Sequence, residues 1–200
     1  METQPAHSFR SEISREEIAL LPMGQYGGPV CVVRSDAQAA AAVRRLQRER
    51  VLGFDTETRA AFRKGESYPP ALVQLAATRV VYLFQLHSLT GLGGLEAILS
   101  APDIVKAGVS LAYDLRKLNE VRPFAPAGFV ELQQMTDQLG IRNNGVRGLV
   151  AIVLGFRISK GAQRSNWALP RLSRAQIAYA ATDAWACREI YLRLAPHAPA

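Results

Sequence analysis

The chain has 200 residues, of which 48% are hydrophobic and 20% charged, as expected of one soluble domain with a full hydrophobic core. Two cysteines, no membrane-length apolar run and no signal-peptide core at the N-terminus exclude a disulfide scaffold and a membrane-spanning protein, and place the expected compartment in the cytoplasm. The formal charge of +7, from 24 basic and 17 acidic residues, favours a polyanionic partner, because Lys and Arg displace counterions from a phosphate backbone.

Residues 1–28 read as a peripheral N-terminal segment and residues 29–200 as the domain proper. Ser14 and Glu17 fit a capping box, with Ile18, Leu20 and Leu21 able to dock a short helix before Pro22, Gly24, Gly27, Gly28 and Pro29 break it. Val30 to Val33 predicts a strand and Asp36 to Arg50 a helix. Val51 to Phe54 is an apolar strand running into acidic residues. A polar loop, Arg59 to Pro70, leads to two strands, Ala71 to Ala77 and Val80 to Leu86, joined by a Thr78-Arg79 turn. A helix over Leu92 to Leu99, a strand over Ile104 to Val109 and a helix over Ala112 to Val121 follow. Leu132 to Leu139 and Val146 to Leu154 have helical spacing, and residues 161–170 are irregular. The last helix is the clearest, capped by Ser173 with Gln176 and running to Leu194 before Pro196. This order predicts an α/β domain with a mixed central sheet flanked by helices.

Within this frame four carboxylates stand out. Asp55 and Glu57 lie two apart along a strand, so both project to one face, where two like charges repel unless a cation joins them. Asp183 interrupts an apolar helix, with Tyr179 one turn before it on the same face. Asp114 lies near a helix start, across a short turn from the strand ending at Val109. Taken singly, each suits a solvated strand end, a solvent-facing helix position or a plain helix-start acid. Together they match two-metal phosphoryl transfer, in which hard cations about 4 Å apart are bridged and flanked by carboxylate oxygens.

At these residues the chain resembles the DEDD 3′–5′ exonucleases. Phe54-Asp55-Thr56-Glu57 resembles the first motif, Asp114 within Gly108-Val109-Ser110-Leu111-Ala112-Tyr113-Asp114 the second, and Tyr179-Ala180-Ala181-Thr182-Asp183 the third in its Tyr-x-x-x-Asp form. That form, with Ser165-Asn166-Trp167, is similar to the branch containing ribonuclease D and the Werner syndrome exonuclease domain, over roughly Val30 to Leu194. The resemblance implies a ribonuclease H-like fold and 3′–5′ exonuclease activity using two ions, Mg²⁺ or Mn²⁺. By match, Asp55 bridges both metals, Glu57 and Asp183 complete the one that activates water, Asp114 serves the second, and Tyr179 hydrogen-bonds the attacking water or the scissile phosphate. Glu131 stands where several relatives have Asp, and no catalytic role is assigned to it. No C-terminal helical nucleic-acid-binding domain of the ribonuclease D kind and no helicase is expected, so the domain would grip the strand with its own surface.

For that grip the candidates are Arg59, Arg63 and Lys64 after the first motif, Arg116 with Lys117 after Asp114, and Lys160 and Arg164 before Trp167. Each alone also suits a solvated surface. Trp167 and Tyr113 can stack on bases, although wedging the last helix is the stronger role for Trp167. Gln74, inside an apolar strand, is expected to satisfy a buried hydrogen bond. The function expected is trimming of single-stranded 3′ ends with release of nucleoside 5′-monophosphates. The alternatives are an inactive nucleic-acid-binding adaptor on the same fold and a phosphodiesterase of short oligonucleotides.

Overall fold

The computed structural model describes residues 9–197 apart from 62, 64 and 144, and is built on six strands. These are β1 (Val30–Val33), β2 (Val51–Thr58), β3 (Pro70–Ala76), β4 (Val81–Gln85), β5 (Val105–Gly108) and β6 (Phe129–Glu131). They form one mixed sheet in the order β1-β4-β3-β2-β5-β6. The hairpin pairs β2-β3 and β3-β4 are antiparallel, while β1-β4, β2-β5 and β5-β6 are parallel. The helices are α1 (Arg15–Leu20), α2 (Asp36–Leu46), α3 (Glu96–Leu99), α4 (Leu111–Val121), α5 (Leu132–Gln138), α6 (Val146–Leu149) and α7 (Arg174–Leu194).

Two layers of helices cover the sheet. Phe54, Val73, Leu75 and Phe84 meet Val43 of α2, Ile98 of α3 and Leu118 of α4 on one face. On the other, Leu72, Ala76 and Leu83 meet Ala180, Ala181 and Ala184 of α7, and Ala107 joins Leu132, Leu149 and Ile190. The small residues of α7 let its backbone approach the sheet closely. Gly53 makes the closest approach possible, since a Cβ there would lie only 1.8 Å from the Ala184 carbonyl oxygen. The capping box that starts α7 forms as expected, with Gln176 N–H donating to Ser173 Oγ at 3.2 Å and Ser173 N–H to Gln176 Oε1 at 2.9 Å.

Four departures from the sequence expectations stand out, the first three with physical causes. The helix expected over residues 92–99 is helical only from Glu96, because Gly91, Gly93 and Gly94 hold positive φ of 59°, 63° and 84°. The helix expected over residues 146–154 widens after Leu149 into a π-helical turn, Val150–Leu154, that stops at Gly155 in the left-handed region. Strand β6 has no counterpart among the expected elements, being too short for alternation to register. At the N-terminus the Ser14–Glu17 capping box forms and Ile18 docks with Ile13 against Ala151, but Leu20 is 87% exposed, so it does not dock as expected.

Candidate active site

The parallel pairing of β2 with β5 ends at Gly53 and Ala107, and β2 runs on to Thr58, so Asp55 and Glu57 extend beyond the end of β5. Alternation puts Gly53, Asp55 and Glu57 on the side facing α7. Because α7 lies against Gly53 at Ala184, the preceding residue, Asp183, is carried to the two strand carboxylates. One oxygen from each of Asp55, Glu57 and Asp183 lies within 4.8 Å of the other two.

Asp114 approaches from the opposite layer, in the first turn of α4, on the side to which alternation directs Thr56. The turn before it is held open by Ser110, whose φ of 61° is the one positive value for a non-glycine among the described residues. Glu131 stabilises this conformation: its carboxylate accepts from Ser110 N–H at 3.1 Å, Leu111 N–H at 2.8 Å and Gln133 N–H at 3.3 Å. Glu131 thus positions the Asp114 turn.

The electrostatics are those of a site short of positive charge. Burial, then the charges of Asp183 and Asp114, push the Asp55 carboxyl well above its usual range. Burial, then Asp55, raises Glu57 to about 10. Burial raises Asp183 to about 7, partly offset by the Tyr179 hydroxyl and the Arg147 charge. Burial also raises Asp114 to about 6, opposed by the Thr56 hydroxyl and assisted by Glu131. The Tyr179 phenol is raised by burial and then by Asp183 and Glu57, which keeps its proton on. Asp183 Oδ1 is buried with no hydrogen-bond partner among the described residues. An all-oxygen donor set with an unpartnered buried carboxylate oxygen and mutually repelling neighbours fits a hard divalent cation.

A cavity of about 460 Å³ opens over Asp55, Glu57 and Asp183, and Asp114 is not part of its lining. Lys160, expected at the substrate, lines it, as do Tyr179 and two residues the sequence did not flag, Arg147 and Gln163. Arg147 makes no ion pair among the described residues, and its Nε meets the Ile158 carbonyl at only 3.5 Å. Its signal was faint: one Arg at the start of a stretch that reads as an apolar helix.

Of the other candidate cations, those among the described residues stand outside the cavity lining. Arg59 lies over the Tyr68 ring at 4.9 Å. Arg63 and Arg164 are exposed, and Lys64 lies outside the described residues. Arg116 pairs with Glu120 at 3.4 Å and lies over the Tyr113 ring at 5.2 Å. Trp167 is fully buried and packs on Tyr179, ring centroids 6.0 Å apart, so the base-contact role gives way to the packing role. Gln74 departs from its expected role. It is fully buried opposite Asp55 in the β2-β3 register, yet neither polar atom of its side chain has a partner among the described residues.

Residues 30–198 match a family model described as 3′-5′ exonuclease. The chain belongs to the 3′–5′ exonuclease family. It is 32% identical over 167 residues to a ribonuclease D of Gluconacetobacter diazotrophicus, covering 82% of this chain and 41% of that one. It is 33% identical over 156 residues to the mouse bifunctional 3′-5′ exonuclease/ATP-dependent helicase WRN, covering 75% of this chain and 11% of that one. It therefore spans less than half the length of these curated relatives. The fold of this family member is the expected ribonuclease H-like one. It superposes on the Nibbler EXO domain of Aedes aegypti with a TM-score of 0.78 at 23% identity, covering 86% of this chain and 91% of that one. Escherichia coli RNase D gives 0.75 at 24% identity, covering 82% and 44%. No helix among the described residues is long and apolar enough to cross a membrane.

Proposed function

We propose that this chain trims single-stranded nucleic acid from its 3′ end, releasing nucleoside 5′-monophosphates with two divalent cations, Mg²⁺ or Mn²⁺, and that residues 29–200 carry this activity in the cytoplasm. The observation that supports it best is the meeting of Asp55, Glu57 and Asp183 within 4.8 Å in a cavity also lined by Lys160 and Arg147. Asp55, Glu57 and Asp183 would hold one cation, and Asp114, with Asp55, the second. When bound, these cations supply an acidified water and a counter-charge for the leaving 3′ oxygen.

The chain's own groups have separate tasks. Tyr179 keeps its proton, so its O–H donates to the attacking water or to a scissile phosphate oxygen. Lys160 and Arg147 draw the phosphate toward a site whose carboxylates alone would repel it. Glu131, through the Ser110 and Leu111 amides, sets where Asp114 stands. Asp55, Glu57 and Asp183 lie together and the charge of Asp114 reaches Asp55, which counts against an inactive adaptor. A 5′-labelled single strand incubated with Mg²⁺ or Mn²⁺ tests the proposal. Stepwise shortening from the 3′ end, abolished by chelator and by Asp55→Ala, supports it; a strand left whole, or shortening that survives Asp55→Ala, overturns it.

A further inference from the structure

The carboxylates occupy one end of the sheet. At the opposite end, where β2 begins at Val51, the Thr78-Arg79 turn between β3 and β4 meets the end of α2. From Val51 to Glu57 the strand rises by about 20 Å, so this surface is remote from the proposed chemistry. A cavity of about 280 Å³ opens in it, and Arg45, Glu49, Thr78, Arg79 and Tyr82 line it. None of these residues lines the carboxylate cavity.

The cations here are left without carboxylate partners. Arg45 and Arg79 are exposed and make no ion pair among the described residues, and the same holds for Arg44 and Arg48 beside Arg45. Glu49 is the one acid in the lining, and it is engaged elsewhere: the Thr78 hydroxyl donates to its Oε2 at 2.6 Å. Arg188 fixes that arrangement, donating through Nη2 to Thr78 Oγ1 at 3.0 Å and through Nε to the Val51 carbonyl at 3.2 Å. Glu189, the neighbouring acid on α7, pairs with Arg188 at 3.0 Å. The negative end of α2 favours cations, which accounts for Arg44 and Arg45. Arg79 comes from a strand turn and adds a second guanidinium to the same cavity. Two like charges on one concavity repel unless an anion joins them.

A phosphodiester backbone is an anion of matching form. Each guanidinium can hold a phosphate through paired N–H donors, and Arg44 and Arg48 add charge beside the cavity. We infer that this end of the molecule holds upstream phosphates of the strand whose 3′ end lies at the carboxylates. A single strand is flexible enough to reach both ends, and docking its 3′ terminus raises the effective concentration of its own upstream phosphates at the second site. A long strand is thus gripped in two places and a short one in one. The inference rests on the exonuclease reading of the carboxylate site.

The test measures binding by fluorescence anisotropy across a salt series, in chelator so that no strand is consumed. Two single strands are compared, of about 5 and about 30 nucleotides, at the short end of and well beyond the roughly 4–16 nucleotides that one domain covers. Arg45→Ala/Arg79→Ala removes two phosphate contacts. It is expected to reduce the slope of log affinity against log salt by about 1.4 for the long strand, at about 0.7 per contact, and to leave the short strand unchanged. Arg45→Lys/Arg79→Lys keeps the slope, and thermal melts confirm that both variants are folded. An unchanged slope for the long strand, or an equal fall for the short one, overturns the inference. So does wild-type affinity for polyglutamate of matched charge that equals the long-strand affinity and falls in the alanine variant, which would assign the surface to an acidic protein. With Mn²⁺ added, an arginine-dependent slope without trimming sinks only the nuclease reading; trimming without an arginine-dependent slope sinks only the second grip.

Discussion

Gly53→Ala tests how the sheet and the last helix build the site. The added methyl would lie 1.8 Å from the Ala184 carbonyl oxygen and 2.8 Å from the Arg188 nitrogen, where ordinary contact begins at 3.4 Å. Both neighbours are backbone of α7, so no side chain can swing aside, and the helix must retreat from β2 by about 1.6 Å at that point. Asp183 precedes Ala184 and moves with it, away from oxygens that now lie within 4.8 Å. A misplacement of about 1 Å at a reacting centre costs roughly 100-fold in rate, and overpacking a close interface costs about 1–3 kcal/mol. Gly53→Ala is therefore expected to lower trimming by about 100-fold and the melting temperature by about 5 °C for a chain of this size. Gly27→Ala is the control, because a Cβ there meets nothing within 4 Å, and it should change neither. Gel assays of strand shortening and circular-dichroism melts read both effects. A Gly53→Ala protein with wild-type rate and melting temperature would refute the close-packing argument.

The remaining predictions concern charge. In the metal-free protein Asp183 titrates at about 7, Asp114 at about 6 and Glu57 at about 10, all above the ordinary carboxyl range. The folded state then holds protons that the unfolded state releases, so this stabilising contribution is full below about pH 4 and is lost as pH rises through the folded values. Metal-free melting temperature should fall from pH 5 to pH 8, and Mg²⁺ or Mn²⁺ should raise it more at pH 8; a flat profile without metal contradicts this. Arg147→Ala should reduce the slope of log affinity against log salt by about 0.7 for a single strand, the value for one phosphate no longer neutralised, while Arg147→Lys retains the slope. An unchanged slope in Arg147→Ala would show that Arg147 does not meet a phosphate. Glu131→Ala strips three backbone N–H groups of their acceptor and should cost about 1–3 kcal/mol in denaturant unfolding and slow trimming. Glu131→Gln, which keeps an acceptor, should recover most of both.

The parts of the site visible in the sequence are those that depend on local periodicity. Asp55 and Glu57 share a face because strands alternate, and Tyr179 stands one turn from Asp183 because helices repeat. Capping residues marked the start of α7 to the residue. What escaped depended on contacts across the fold. The left-handed turn at Ser110 is stable only because Glu131, 21 positions away, accepts its N–H. Arg147 joins the carboxylates because α6 packs beside α7, a juxtaposition no local pattern encodes. Gly53 carries no signal of its own without α7 against it. The N-terminal segment reads as peripheral, and its pairing with Arg157 spans more than 130 residues.

Paired end-labelling tests direction and metal dependence at the carboxylate site together. The same single strand, labelled at its 5′ end in one tube and at its 3′ end in another, is incubated with the protein and Mn²⁺. The account predicts a descending ladder from the 5′-labelled strand, immediate release of labelled mononucleotide from the 3′-labelled one, and neither with Asp55→Ala or chelator. First release of the 5′ label as a mononucleotide, internal cuts in both strands, or digestion that persists in Asp55→Ala would contradict it.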